Sequence, residues 1–238
     1  MKMVAGAPNL RPAWFFDVRQ QGEGLSDVGT HVVDLVQWTA FPDQAIDYRK
    51  DIRVLAGRHS PVAITREQFR QVTGEADFPA YLPAKDGRLN YYCNNSVSYT
   101  LRGKPVKLNI LWSWEARPGT GDSYEATFRG TRGRVELRQG ETEKFRPEIY
   151  VAAPRPALQK RLAALRRAYP GVELEAQGGR TRVVIPERCR VGHEAHFAQV
   201  TNQFFRYLKD PKAVPARERP NMLAKYYVTT KGVELAGR

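Results

Sequence analysis

The sequence predicts an α+β chain built on a large, mostly antiparallel, open-faced sheet with helices on one face. Three observations predict it. Helical periodicity lies towards the two ends, two-residue alternation fills the middle, and successive strands are joined by Gly-containing turns rather than by the helices of a doubly wound sheet. With 238 residues, 42% of them hydrophobic, the chain can bury a sizeable core. It is read as one domain over 1–238, with a helix-plus-hairpin insertion at 154–190.

The elements follow in order. After the aromatic-bearing entry NLRPAWFFDVRQQ, a first helix is expected from Ser26 or Asp27, an N-cap candidate, to Thr39, ahead of Pro42. A strand is expected near Ile46 to Leu55. TREQFRQVTG (65–74) opens with the capping-box spacing Thr65 to Gln68 and closes on Gly74, so it reads as a short helix. Residues 75–90, with Pro79, Pro83 and Gly87, read as loop. From Tyr91 the period becomes two. In VKLNILWSWEA, Val106, Leu108, Ile110, Trp112 and Trp114 point one way and Lys107, Asn109, Ser113 and Glu115 the other, with Leu111 the exception. Val97, Tyr99 and Leu101 precede that strand across the turn RGKP. SYEATFRG, GRVELRQG and PEIYVAAP continue the meander, and VELEAQGGRTRVVIP adds a hairpin about Gly178 and Gly179. Two helices finish the chain, at 193–210 and from Pro220 to Leu235.

The net charge of +13 invites a nucleic-acid reading, but the charge is dispersed and lacks a recognisable module, so no nucleic-acid partner is expected. The densest acid-free stretch, PRPALQKRLAALRRAYP, keeps Leu158, Leu162, Leu165 and Tyr169 at helical spacing and reads as a surface helix with a solvated basic face. Cys93 and Cys189 lie far apart without CxxC spacing, which suggests neither a zinc site nor a disulfide framework and leaves the compartment open. No stretch approaches the ~18 apolar residues that span a bilayer, so no membrane partner is expected.

Chemistry-bearing motifs are few. GTGDSY (119–124) leads into a strand instead of a helix and so cannot cradle a pyrophosphate; it reads as a hairpin turn. His193 and His196, at i, i+3, could face a metal, but no third ligand accompanies them, and no metal is expected. Trp112, Trp114 and Glu115 could form a sugar platform, although the alternation also suits core packing for both tryptophans. The first helix is more informative. Asp27, His31, Asp34 and Trp38 fall on one stripe, with Val28, Val32, Leu35, Val36 and Thr39 on the other side. Asp27 and His31 at i, i+4 can hydrogen-bond, which would suit a general base or a structural contact.

WFFD (14–17), Gly22 and Gly24, and DVGTHVVDLVQW (27–38) together resemble the start of the C-terminal domain of Gfo/Idh/MocA oxidoreductases, with its glycine-rich turn followed by Asp-x-Gly-x-His-x-x-Asp. FRGTRGRVEL resembles that family's strand hairpin, and the helix carrying Phe197, Val200 and Phe204 its penultimate helix. The resemblance covers roughly residues 9–238. It implies a dehydrogenase C-terminal-domain-like fold that works beside an N-terminal Rossmann domain, which would hold NAD or NADP; this chain alone would bind no cofactor. It also implies His31 and Asp27 as catalytic residues acting on a sugar or polyol, Asp34 as the last acid of the motif, and an oligomer formed through the sheet; with Asp34, Trp38 of the stripe and Glu115 of the possible sugar platform are the expected substrate-binding residues. Alternatives are half of an NAD-dependent glycosidase, or a non-catalytic carbohydrate-binding or scaffold protein.

Overall fold

The computed structural model describes residues 3–4, 7–112 and 120–237. In chain order its elements are β1 (Met3–Val4), β2 (Ala7–Pro8), α1 (Gly29–Ala40), α2 (Tyr48–Asp51), β3 (Ile52–Thr65), α3 (Arg66–Thr73), β4 (Arg88–Leu101) and β5 (Lys104–Ile110). There follow β6 (Tyr124–Gly130), β7 (Gly133–Gln139), β8 (Glu148–Ala152), α4 (Arg155–Ala168), β9 (Glu173–Gln177), β10 (Arg180–Val184), α5 (His193–Lys209) and α6 (Glu218–Ala236). The architecture is α+β with antiparallel sheets, as the sequence predicts. The chain divides into two compact units, Met1–Trp114 with Pro215–Arg238, and Glu115–Val214. The main strands form a three-stranded sheet, β3-β4-β5, in the first and a five-stranded sheet, β6-β7-β8-β10-β9, in the second.

In the first unit β4 is the central strand, and its side chains alternate strictly. Leu89, Tyr91, Cys93, Asn95, Val97, Tyr99 and Leu101 are buried, while of the residues between them Asn90 is exposed and the rest are half-buried. Leu89, Tyr91 and Cys93 join Phe16, Ile64 and Phe69 in one apolar cluster. Val97, Tyr99 and Leu101 join Leu25, Val33, Ile46 and Val228 in another. Asn95 is the polar residue between the two. The predicted RGKP turn is a two-residue hairpin in which Arg102 (φ 49°) and Gly103 (φ 73°) both take left-handed backbone, matching the twist of the paired strands. β5 then shows the expected alternation, with Leu108 and Ile110 buried and Lys107 and Asn109 exposed. Ser113, Trp114 and Glu115 lie outside the described residues.

Several local expectations need revision: β3 runs past the expected end at Leu55 to Thr65, where it pairs with β4 along its length, and β4 begins at Arg88, inside the expected loop. The strand expected from Ile46 begins at Ile52, because the Asp47 side chain accepts the Arg49 N–H and caps the short helix α2 first. The helix expected from Ser26 or Asp27 begins at Gly29, because overlapping turns, such as Asp27 N–H to Glu23 O (3.0 Å) and Gly29 N–H to Gly24 O (3.0 Å), wind the backbone into it. α3 matches its prediction fully. Thr65 and Gln68 exchange side-chain and backbone hydrogen bonds, and left-handed Gly74 (φ 81°) ends the helix.

In the second unit the expected helix and hairpin of 154–190 are α4 and β9–β10, turning at Gly178 and Gly179. β10 also pairs with β8, so the hairpin completes the five-stranded sheet. Among the described residues no helix is long and apolar enough to cross a membrane.

Candidate active site

The site begins with the turn before α1. Gly22 adopts left-handed backbone (φ 84°), and a Cβ on Gly24 would stand 1.9 Å from the Cys93 carbonyl oxygen, so only glycine lets this segment lie against β4. Polar groups then latch it. The Leu25 N–H donates to Asn95 Oδ1 (3.0 Å), Asn95 Nδ2 donates to Glu23 Oε2 (2.6 Å), and His59 Nδ1 lies 2.9 Å from Glu23 Oε1. The His59 ring rests 4.5 Å from that of Tyr92. A carboxylate buried against the sheet is thus satisfied by partners from β3 and β4 together.

From this anchored turn α1 runs with Gly29, Val33 and Gln37 buried. His31 is exposed, Trp38 is 60% exposed, and Asp27 and Asp34 sit half-buried at the edge of the same face. The stripe therefore exists as a surface that meets solvent. Val28 and Leu35, assigned from spacing to the opposite side, are also exposed, because the buried line is centred on Val33 and Gln37. Asp27 and His31 are not hydrogen-bonded to each other among the described residues. The Asp27 carbonyl takes the Thr30 hydroxyl (2.7 Å), and burial first, with the Asp27 charge second, pushes the Tyr91 phenol up. Asp34 accepts from Lys225 Nζ of α6 at 2.8 Å, with both side chains mostly buried. Glu115 lies outside the described residues.

Lys225 and the Glu23–His59–Asn95 latch escape sequence reasoning. Lys225 lies 191 positions from Asp34, and no spacing rule connects them. Glu23 carries a weak signal, as an acid set between the glycines of the turn. What the arrangement offers chemically is an exposed imidazole, two neighbouring carboxylates, a lysine that neutralises one of them, and an indole face. Such groups can accept a proton, orient hydroxyls and stack on the apolar side of a sugar ring. They do not make a metal centre: among the described residues no three His, Cys, Asp or Glu side chains are placed to hold an ion. The His193 side chain lies outside the described residues.

The model of the family described as "Putative oxidoreductase C terminal domain" matches residues 1–237. The chain belongs to this family. The chain is also similar to a crystal structure of a putative oxidoreductase from Parabacteroides merdae, with 42% sequence identity and a TM-score of 0.92. That similarity covers 99% of this chain and 56% of the other, so the chain spans little more than half of that protein. No curated protein matches.

Proposed function

We propose that this domain is the substrate-binding and oligomerisation half of an NAD(P)-dependent sugar or polyol oxidoreductase of the Gfo/Idh/MocA kind. The observation that carries the reading is the placing of exposed His31 and Trp38 on α1, with half-buried Asp27 in the turn just before it, launched from the anchored glycine turn of an oxidoreductase C-terminal domain. His31 takes the hydroxyl proton of the substrate carbon undergoing oxidation. Asp27 offsets the charge that His31 gains and receives a neighbouring hydroxyl, while Trp38 supplies the stacking face. Lys225 fixes the position of the Asp34 side chain through its 2.8 Å contact.

Among the described residues no glycine-rich turn leads from a strand into a helix to cradle a dinucleotide. The glycine-bearing segment before Tyr124 enters strand β6, whereas a pyrophosphate site needs the backbone N–H groups of a helix N-terminus. The hydride acceptor therefore belongs to the N-terminal domain in this reading, and α1 forms the wall that faces it. Calorimetric titration with NAD and NADP tests the division. The chain alone should show no saturable binding, and the protein bearing its N-terminal domain should bind one of the two. Micromolar binding by the chain alone overturns the reading.

A further inference from the structure

The second unit holds a feature that the proposed reaction does not use. β7 carries Arg134, Glu136 and Arg138 on one face, paired in register with Ala152, Tyr150 and Glu148 of β8. Arg180 begins β10 on that side, next to the Gly178–Gly179 turn. Together with Ala152 and Gln177 these residues line a cavity of about 350 Å³. A second cavity of about 360 Å³, bordered by Arg129, Gly130 and Gly133, shares Arg134 and Ala152 with the first.

Glu136 is 4% exposed and sits among three guanidinium groups. Arg134 Nε lies 2.5 Å from Oε1, and Arg138 Nε (2.9 Å) and Arg180 Nη1 (3.2 Å) reach Oε2. Burial alone would raise the Glu136 carboxyl, but the Arg138 hydrogen bond and the three positive charges outweigh it and hold the group below its ordinary range. Glu136 thus contacts three permanent cations at once. Arg138 is also met by Glu125 at 3.4 Å and by the charge of Glu143, so the positive charge left over lies on Arg134 and Arg180. Arg182 and Arg190 add nothing to it, being held by Glu148, with Glu175 also on Arg182.

We propose that this cavity binds a phosphate-type dianion, either inorganic phosphate or the phosphoryl group of a small molecule. Glu136 acts as an internal clamp. By holding Arg134 and Arg138 at Nε it fixes their planes, and the Nη groups of Arg134 have no partner among the described residues. Arg180 is fixed as well, with its guanidinium 3.8 Å above the Tyr150 ring. Guanidinium groups already ordered lose little entropy on gripping an oxyanion, and their forked donors match its oxygens. The glycine turn leaves the rim clear, since a Cβ at Gly178 or Gly179 would meet nothing within 4 Å.

The test titrates the full chain with inorganic phosphate, following heat and the Arg Nε–H resonances, in parallel with glucose 6-phosphate and glucose. Saturable one-to-one binding is expected, read at the Arg Nε–H resonances of this cluster, which glucose should leave unshifted. Equal affinity for the two anions assigns a free-phosphate site, and affinity ~10-fold higher for the ester assigns a phosphorylated ligand. Arg134→Gln should weaken binding ~10- to 100-fold, the effect of losing charge-assisted hydrogen bonds. Arg138→Gln serves as the second variant should circular dichroism show the first unfolded. Arg167→Gln on α4, the same charge change elsewhere, should alter affinity less than ~2-fold. An absence of saturation, or an equal loss in Arg167→Gln, overturns the proposal.

Discussion

Replacing Asn95 with alanine cuts the latch that carries α1. The Leu25 N–H, on a residue 1% exposed, loses its acceptor, and such an unsatisfied buried donor costs about 1–3 kcal/mol. Glu23, 8% exposed, loses its 2.6 Å bond from Asn95 Nδ2, a charge-assisted contribution of about 1.5–3 kcal/mol. Because both belong to one network the two terms overlap, and a total near ~3–4 kcal/mol is expected. Hydrogen exchange reads this locally. The Leu25 amide should exchange at least ~100-fold faster in Asn95→Ala, while Phe69, in the other apolar cluster, changes far less. Combining Asn95→Ala with Glu23→Gln should cost less than the sum of the single changes. Leu25 protection within ~5-fold of the parent, or strict additivity, would refute the latch.

Three further outcomes are expected. Burial pushes the Cys93 thiol up to about 11, whereas Cys189 is exposed, so iodoacetamide at pH 8 should label Cys189 alone in the folded chain; rapid modification of both, seen by mass spectrometry, contradicts the burial. Hydrogen bonds from Arg19 and then Gln20 hold the Asp17 carboxyl at about 2, below its ordinary 3.8. A depressed folded value means that this contribution is present above pH ~4 and is lost as pH falls towards 2, so Asp17→Asn should flatten that part of the urea-midpoint profile, and an unchanged slope removes Asp17 from the account. Leu111, 82% exposed just beyond β5, stands beside the polar outer positions Lys107 and Asn109; sedimentation should show a dimer at micromolar concentration that Leu111→Asp dissociates, and a monomeric parent chain rules this interface out.

Local rules read much of the fold directly. The Thr65–Gln68 box and Gly74 bound α3, the odd-numbered residues of β4 mark its buried face, and RGKP places a hairpin turn. The misplaced boundaries at Asp27 and Ile46 depend on backbone turns and on the Asp47 cap, which periodicity does not register. The division into two sheets was equally hidden, since alternation shows that strands exist without showing which of them pair. At the candidate site, helical spacing grouped Asp27, His31, Asp34 and Trp38 on one stripe. It could not place Val28 and Leu35, because the buried side of α1 is set by how Val33 packs among Leu25, Ile46 and Val228. Lys225 and the partners of Glu23 come from distant strands and the last helix, where only the folded chain brings them near.

The central claim is that α1 presents a proton acceptor to a substrate held against a nicotinamide domain. Its most direct test is steady-state oxidation of a sugar and polyol panel by the protein bearing its N-terminal domain, comparing the parent with His31→Ala. The account predicts turnover lower by ~10²- to 10⁴-fold with cofactor affinity within ~2-fold, because general-base catalysis acts on the chemical step alone. Unchanged turnover in His31→Ala would contradict it and return the Asp27–His31 spacing to a structural role.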